Sequence, residues 1–310
     1  MAKKSKKTTT QANSENKASK KSGTRPRTMP SDETFTFQPL VPNMDAPSSA
    51  NGGSPALGQK QSWFENEDFW KNYGPIMFDS AHWAEAPGVA AAVQKIAGLK
   101  KGARILDAGC GPGRISVELA LLGLDVTGVD IIQAELDAAA ETAADEGVDI
   151  SLVNADLRNY TTEEKFDAAI NVYTSFGYCD TMEEDVQILK RICDALKDGG
   201  WFIMEMTSRE IAVQYFTPGE WFERAGKTVL TEFTVEGAWE GLRSRWILID
   251  NKTGERYEHC FVQRLYPAAE LKKLMLGCGF ESVEIYGGFD FSKYDQNAKT
   301  MVLVAHTPRR

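Results

Sequence analysis

The sequence has little that would support a metal centre or a disulfide framework. Among its 310 residues are only three histidines and five cysteines. The cysteines are scattered along the chain, and no C-x-x-C pair occurs. Zinc sites and disulfide-rich scaffolds need paired or regularly spaced Cys and His residues. We therefore expect no metal site and reduced cysteines, as is typical of a cytoplasmic protein.

Long apolar runs and an excess of positive charge are also missing. No segment approaches the roughly 20 apolar residues that a membrane-spanning helix needs, and the basic N-terminus is followed by no apolar core of a secretory signal. The formal net charge is −9, which argues against nucleic-acid binding by the whole chain. Residues 1–30 are the exception, with nine Lys or Arg and one Glu. We predict no membrane association, and nucleic-acid contacts only through this basic segment.

Composition divides the chain into a tail and a folded domain. Residues 1–60 are rich in Lys, Ser, Thr, Asn, Gly and Pro and poor in apolar residues, which predicts a disordered basic tail. Residues 61–310 have the composition of a folded domain. Its first segment, residues 61–86, contains seven large aromatic residues: Trp63, Phe64, Phe69, Trp70, Tyr73, Phe78 and Trp83. Such a dense aromatic segment either packs a helix on the domain or forms a lid over a ligand, and both interpretations stay open.

A strand, a glycine-rich loop and a helix are predicted around residues 103–123. Gly109, Gly111 and Gly113 follow Asp107 within six residues. Glycines permit positive φ and a close approach of the backbone to a ligand. The loop amides and the helix N-terminus would then face that ligand. The spacing G-x-G-x-G differs from the G-x-G-x-x-G of dinucleotide-binding folds, which disfavours a dinucleotide oxidoreductase.

Strands and helices alternate after this loop. The next two strands end at Asp130 and Asp156, and two more are predicted at 166–173 and 201–206. This alternation predicts an α/β fold: a Rossmann-like, doubly wound, mostly parallel seven-stranded sheet with helices on both faces. Because such sheets bind ligands at the carboxyl ends of their strands, the loop and both aspartates should lie together.

The alternation is interrupted by residues 209–266, which predict an antiparallel insertion after the fifth strand. Strand-like runs occupy 228–235, 242–250 and 256–266, and Asp250-Asn-Lys-Thr-Gly254 is a hairpin turn. Side-chain alternation places Arg264 and Tyr266 on one face of the last strand and His259 and Phe261 on the other. We expect the insertion to cap the active site with the Arg264 face inward. Pairing of Arg264 with a nearby acid is the alternative.

The segment Asp107-Ala-Gly109-Cys-Gly111-Pro-Gly113 resembles the [D/E]-x-G-x-G-x-G motif of class I S-adenosylmethionine (SAM) methyltransferases. In that family the glycines approach the methionine part of SAM, an acid after the second strand holds the ribose, and a polar residue after the third strand meets the adenine. The resemblance implies nine cofactor-binding residues: Asp107, Gly109, Gly111, Gly113, Asp130, Ile131, Asp156, Leu157 and Asn171.

Residues 64–308 further resemble a bacterial group of small-molecule methyltransferases. The group often shows T-S-F-G-Y and R-L-Y motifs, here Thr174-Ser-Phe-Gly-Tyr178 and Arg264-Leu-Tyr266. Many relatives have His before R-L-Y, but this chain has Gln263, so no histidine base is implied there. Candidates for the acceptor pocket are Tyr173, Tyr178, Arg264 and Tyr266.

The resemblance implies methyl transfer from SAM to oxygen or nitrogen of a small-molecule acceptor. One alternative is a nucleic-acid or protein methyltransferase that uses the basic tail. Against a nucleic-acid substrate, the fourth strand continues as Asn171-Val-Tyr-Thr rather than the N/D-P-P-Y/F of enzymes that methylate base amino groups. A SAM-binding protein without catalysis is the other alternative.

Overall fold

A computed structural model describes residues 63–309 of the chain. The tail predicted for residues 1–60 lies outside the described residues. A short 3-10 helix, Trp63–Glu65, is followed by α1 (Glu67–Met77), α2 (Ser80–Ile96), α3 (Arg114–Leu121), α4 (Gln133–Glu146), α5 (Met182–Ala195), α6 (Arg209–Gln214) and α7 (Ala268–Gly277). The strands are β1 (Arg104–Ala108), β2 (Asp125–Asp130), β3 (Ser151–Asn154), β4 (Phe166–Asn171), β5 (Leu196–Met206), β6 (Gly219–Arg224), β7 (Lys227–Glu236), β8 (Gly241–Asp250), β9 (Arg256–Arg264), β10 (Ser282–Tyr286) and β11 (Met301–His306). Within 63–309, no helix has the length and apolarity needed to cross a membrane.

Seven strands form the central sheet in the order β10-β11-β5-β4-β1-β2-β3. β11 runs antiparallel to both of its neighbours, and the other pairs are parallel. Apolar side chains are buried on both faces: α5 and α7 cover one, and α2 and α3 cover the other. The predicted doubly wound, mostly parallel sheet is confirmed, and the carboxyl ends of β1 to β4 lie along one edge.

The helix around Pro87 begins earlier than the sequence pattern predicts. The apolar residues Val89, Val93 and Ile96 predict a helix over residues 87–98. In the structure, α2 runs from Ser80 to Ile96. The side chain of Asp79 caps it by accepting a hydrogen bond from the His82 amide at 3.0 Å. Pro87 lies within the helix, which is held in place because Ala86, Val89, Ala90 and Val93 on one side are buried. Tertiary packing therefore outweighs the hydrogen bond that proline removes.

The antiparallel insertion forms a separate sheet with the order β6-β7-β8-β9. It has four strands, one more than the three predicted. β6 escaped prediction because it is an edge strand with no fully buried residue, so its sequence shows no clear alternation of apolar and polar side chains.

Helix α1 packs on the face of this insertion that carries His259 and Phe261. Phe69, Tyr73 and Ile76 form one apolar cluster with Val229, Trp246 and Leu248. The Tyr73 hydroxyl donates a hydrogen bond to the backbone carbonyl of Trp246 at 2.8 Å. The insertion thus holds α1 from behind, and the opposite side of α1 is available to cover the edge of the central sheet.

Candidate active site

A cavity of about 200 Å³ lies at the carboxyl ends of the parallel strands. We call the strand-end segments that line it the floor: residues 109–112, 130–131, 155–158 and 172–179, with Asp107, Arg114 and Glu135. We call residues 63–78 the roof, because five of their side chains line the opposite wall: Trp63, Phe64, Trp70, Met77 and Phe78. The aromatic segment therefore does both things that its sequence allowed, since it packs on the insertion and also covers the cavity.

The three glycines of the loop have positive φ angles of 83°, 52° and 76° at Gly109, Gly111 and Gly113. A Cβ on Gly109 would lie 3.1 Å from the Ser175 Cβ, so this glycine permits close approach of the neighbouring loop. A Cβ on Gly113 would lie 2.7 Å from the Ala139 Cβ of α4. Gly113 is absent from the cavity wall, and what it permits is the close packing of α3 against α4.

The loop amides are used within the protein, contrary to the expectation that they would face a ligand. The amides of Gly109 and Cys110 both donate to the Val129 carbonyl, at 2.8 and 3.1 Å. The Gly113 amide donates to the Cys110 carbonyl at 3.1 Å, and the Gly111 amide donates to the Asp130 carboxylate at 2.8 Å. The loop therefore offers a ligand its side-chain-free surface rather than hydrogen-bond donors.

Asp130 ends β2 and fixes the shape of this loop. Its Oδ2 accepts from the Gly111 amide, and its Oδ1 accepts from the Ile132 amide at 3.0 Å. Burial raises its pKa. Each carboxylate oxygen can accept a further hydrogen bond, so Asp130 can meet a pair of hydroxyl donors in the cavity. The adjacent Ile131 also lines the wall.

Asp107 lies at the base of the cavity on β1. It is 2% exposed, and its Oδ2 accepts a hydrogen bond from the Ser116 hydroxyl at 2.7 Å. Burial raises its pKa to about 6. Glu135, in the first turn of α4, is a second cavity acid with a raised pKa, about 7, because it is partly buried and close to Asp130. The sequence analysis missed Glu135.

Asp156 and Leu157 follow β3 and also line the cavity. The Asp156 carboxylate is held by Arg158, whose Nε lies 2.8 Å and whose Nη2 lies 2.7 Å from Oδ2. Arg158 additionally pairs with Glu184 and with Glu65, at 3.0 and 3.1 Å. These carboxylates raise the pKa of Arg158, so its charge is fully compensated. No sequence signal pointed to Arg158, because two of its three partners, Glu184 and Glu65, come from distant segments.

Asn171 ends β4 but is not part of the cavity wall. It is fully buried, and its Nδ2 donates to the Ala108 carbonyl at 2.7 Å. The side chain thus ties the end of β4 to the end of β1 directly before the glycine loop. The structure shows this bracing contact, and contact of Asn171 with the cofactor stays a prediction.

Tyr173 and Tyr178 both line the cavity, on the segment that follows β4. Tyr173 and Thr174 have positive φ angles of 57° and 60°, a strained conformation for residues other than glycine. Glu205 of β5 stabilises it: its Oε2 accepts from the Tyr173 amide at 2.8 Å, and its backbone carbonyl accepts from the Thr174 amide at 3.2 Å. Tyr178 contacts the Trp63 ring edge-on, with ring centres 4.9 Å apart.

Arg264 and Tyr266 contact residues that line the cavity but do not line it themselves, so the prediction that their face points inward is wrong. Both bind Asp185, a fully buried acid in α5: Arg264 through its Nη1, and Tyr266 through its hydroxyl at 2.8 Å. This is the alternative that the sequence left open for Arg264. The inward face is the other one, where Phe261 stacks on Trp63 with ring centres 4.4 Å apart.

Residues 105–200 match the family model described as a methyltransferase domain. Among curated relatives, YqeM of Bacillus subtilis, named as a candidate methyltransferase, is 22% identical over 204 residues, 62% of this chain and 79% of the relative. A ubiquinone biosynthesis O-methyltransferase of Bordetella avium is 26% identical over 117 residues, covering 38% of this chain and 48% of the relative. A cypemycin N-terminal methyltransferase of a Streptomyces species is 29% identical over 153 residues, 44% of this chain and 62% of the relative.

The chain therefore spans about half to two thirds of the last two relatives and more of the first. The fold is also shared with a solved SAM-dependent methyltransferase of Clostridium acetobutylicum, with a TM-score of 0.65 and 16% identity. The match covers 78% of this chain and 97% of that one. Within residues 63–309, no group of three or more His, Cys, Asp or Glu side chains could hold a metal ion. The matched methyltransferase domain, the curated relatives and the shared fold together support a class I, SAM-dependent methyltransferase.

Proposed function

We propose that the protein transfers the methyl group of SAM to an oxygen or nitrogen atom of a small-molecule acceptor by in-line displacement. The proposal rests on one observation: a single cavity contains both a polar compartment and an aromatic compartment. Strand-end acids line this cavity together with aromatic side chains of the roof and of residues 173–178. The relatives named for O- and N-terminal methylation are consistent with either acceptor atom.

The polar compartment suits the adenosine part of the cofactor. Asp130 would accept hydrogen bonds from the ribose hydroxyls, and Asp156 with Leu157 would border the adenine. The side-chain-free surface of Gly109 and Gly111 would lie against the methionine part. When bound, SAM supplies a methyl group on a positively charged sulfur, which is already a good electrophile. The protein's part is to orient the acceptor and exclude water, and orientation alone can contribute roughly 7–11 kcal/mol in the best cases.

The aromatic compartment offers no ready general base. Burial raises the pKa of Tyr173 to about 12 and raises the pKa of Tyr178 as well, so both phenols stay protonated near neutral pH. No histidine from the described part of the chain lines the cavity. A general base is needed only for weakly acidic acceptors such as aliphatic alcohols. The aromatic compartment therefore favours a neutral amine or an acidic, phenol-like hydroxyl as the acceptor.

The test is a turnover assay with SAM and a panel of acceptors, with S-adenosylhomocysteine as the measured product. Aryl amines, amino sugars and phenols should be methylated, and aliphatic alcohols should not. A preference for aliphatic alcohols would contradict the absence of a base. SAM binding without turnover on any acceptor would favour a binding protein. Methylation of RNA or protein that is lost when residues 1–58 are deleted would favour the tail-dependent alternative.

A further inference from the structure

Two arginines line the cavity, and their surroundings differ. Arg158 forms ion pairs with three carboxylates. Arg114, the first residue of α3, lies within ion-pair distance of no carboxylate among residues 63–309. Its Nη1 donates to the His82 carbonyl, and its guanidinium carbon lies 4.1 Å from the centre of the Tyr173 ring. Among the cavity-lining cations of residues 63–309, Arg114 is thus the one without an ion-pair partner.

The position of Arg114 is electrostatically costly. The side chain is only 5% exposed, and a buried charge is unfavourable unless it is paired. It also begins a helix, and the positive end of a helix dipole disfavours a cation there. Asp107 and Glu205 are close enough to interact electrostatically with Arg114, but neither lies within ion-pair distance of it, and both are hydrogen-bonded to other groups. An anionic ligand at this position would remove the cost.

The backbone amides of the glycine loop are not available to bind an anionic ligand. The amides of Gly109, Cys110, Gly111 and Gly113 are all hydrogen-bonded within the protein. An anion next to the loop therefore needs a side-chain donor. In the sheet order β4-β1-β2-β3, Asp130 and Asp156 follow β2 and β3 on one side of β1, whereas Arg114 stacks on Tyr173, which follows β4 on the other side. The adenosine part of SAM suits the side of Asp130 and Asp156, which leaves the amino-acid part on the side of Arg114. That part carries a carboxylate.

We propose that Arg114 anchors the α-carboxylate of the methionine part of SAM. A planar guanidinium can bind a carboxylate through two parallel hydrogen bonds, which a lysine cannot do. Because the guanidinium also stacks on Tyr173, the same side chain connects the bound cofactor to the segment that lines the aromatic compartment. Arg114 is then a cofactor-specificity residue that selects ligands with an intact amino-acid end.

The test compares three ligands by calorimetry, without any turnover. SAM has the carboxylate, decarboxylated SAM lacks it, and 5′-methylthioadenosine lacks the whole amino-acid end. We expect Arg114→Met to weaken the binding of SAM relative to that of decarboxylated SAM. The dissociation constant of SAM divided by that of decarboxylated SAM should rise by about 10- to 100-fold, as the loss of a charge-assisted hydrogen bond would give. Its affinity for 5′-methylthioadenosine should stay within about twofold. Arg104→Met, at the opposite end of β1, is the matched control and should leave the ratio unchanged.

Two results would overturn the proposal. One is an unchanged ratio in Arg114→Met that still binds 5′-methylthioadenosine. The other is an equal loss of affinity for all three ligands, which would mean that Arg114 only shapes the cavity. Should Arg114→Met fail to bind 5′-methylthioadenosine because it does not fold, Arg114→Gln gives the same comparison, since its side chain keeps a hydrogen-bond donor but carries no charge. Because the measurement is binding alone, it stays decisive even if the proposed acceptor class is wrong.

Discussion

The floor and the roof of the cavity are constructed from different interactions. In the floor, polar groups such as Asp130 and Asp156 are fixed by two or three hydrogen bonds or ion pairs each. The roof is held mainly by aromatic packing, such as Trp63 on Phe261 and Phe69 on Tyr73. This difference separates two tasks. We expect the floor to determine which ligand is recognised and the roof to determine how completely that ligand is covered.

The largest effect should come from the rear of the insertion, outside both walls. Arg264→Ala leaves the fully buried Asp185 without its ion-pair partner, and loss of one member of a buried pair costs about 3–5 kcal/mol. Denaturant unfolding should show this loss in the free energy of unfolding. SAM affinity of the folded fraction should change little, because Arg264 is not part of the cavity wall. A large loss of SAM affinity without a change in the free energy of unfolding would mean that Arg264 takes part in the binding site.

The floor is tested most directly by Asp130→Ala. The variant loses the proposed contacts with the ribose hydroxyls, and charge-assisted hydrogen bonds contribute about 1.5–3 kcal/mol each. We expect SAM affinity measured by calorimetry to fall by about 10- to 100-fold or more. Asp137→Ala, an exposed acid on α4, is the control and should bind SAM normally. Normal SAM binding by folded Asp130→Ala would remove this residue from the floor.

Gly113→Ala tests the claim that the third loop glycine serves packing rather than binding. The added Cβ would lie 2.7 Å from Ala139, and overpacking costs about 1–3 kcal/mol. Gly147→Ala is the matched control, since Gly147 has a similar φ of 70° but no atom near the position of the added Cβ. Thermal unfolding of both variants isolates the packing cost. Equal destabilisation of both would mean that only the backbone conformation matters.

The roof should be less sensitive to the loss of one polar contact. Tyr73→Phe removes the hydrogen bond to the Trp246 carbonyl and keeps the ring stack on Phe69. We expect a loss of about 1 kcal/mol in the free energy of unfolding and almost unchanged SAM affinity. Calorimetric SAM binding alongside the unfolding curve checks both. A tenfold loss of SAM affinity would mean that the roof takes part in recognition.

The floor was more predictable from the sequence than the roof. The glycine loop and the strand-end acids Asp130 and Asp156 could be located because their chemistry requires particular residue types at strand ends. Alternation along β9 separates its two faces but does not say which face is inward, so Arg264 was assigned to the wrong side. Its partner Asp185 lies 79 residues away in sequence. Arg158 and Arg114 escaped for the same reason, because their roles depend on contacts between distant segments.

The aromatic roof also has a kinetic consequence. Because residues 63–78 cover the cavity, we expect the spent cofactor to leave when this segment moves away from the floor. Apart from the ion pair between Glu65 and Arg158, the surface that would separate in that step is largely apolar, and dissolved ions screen charges but have little effect on apolar contacts. The residence time of the cofactor should therefore respond weakly to ionic strength, even though its recognition depends on charged groups.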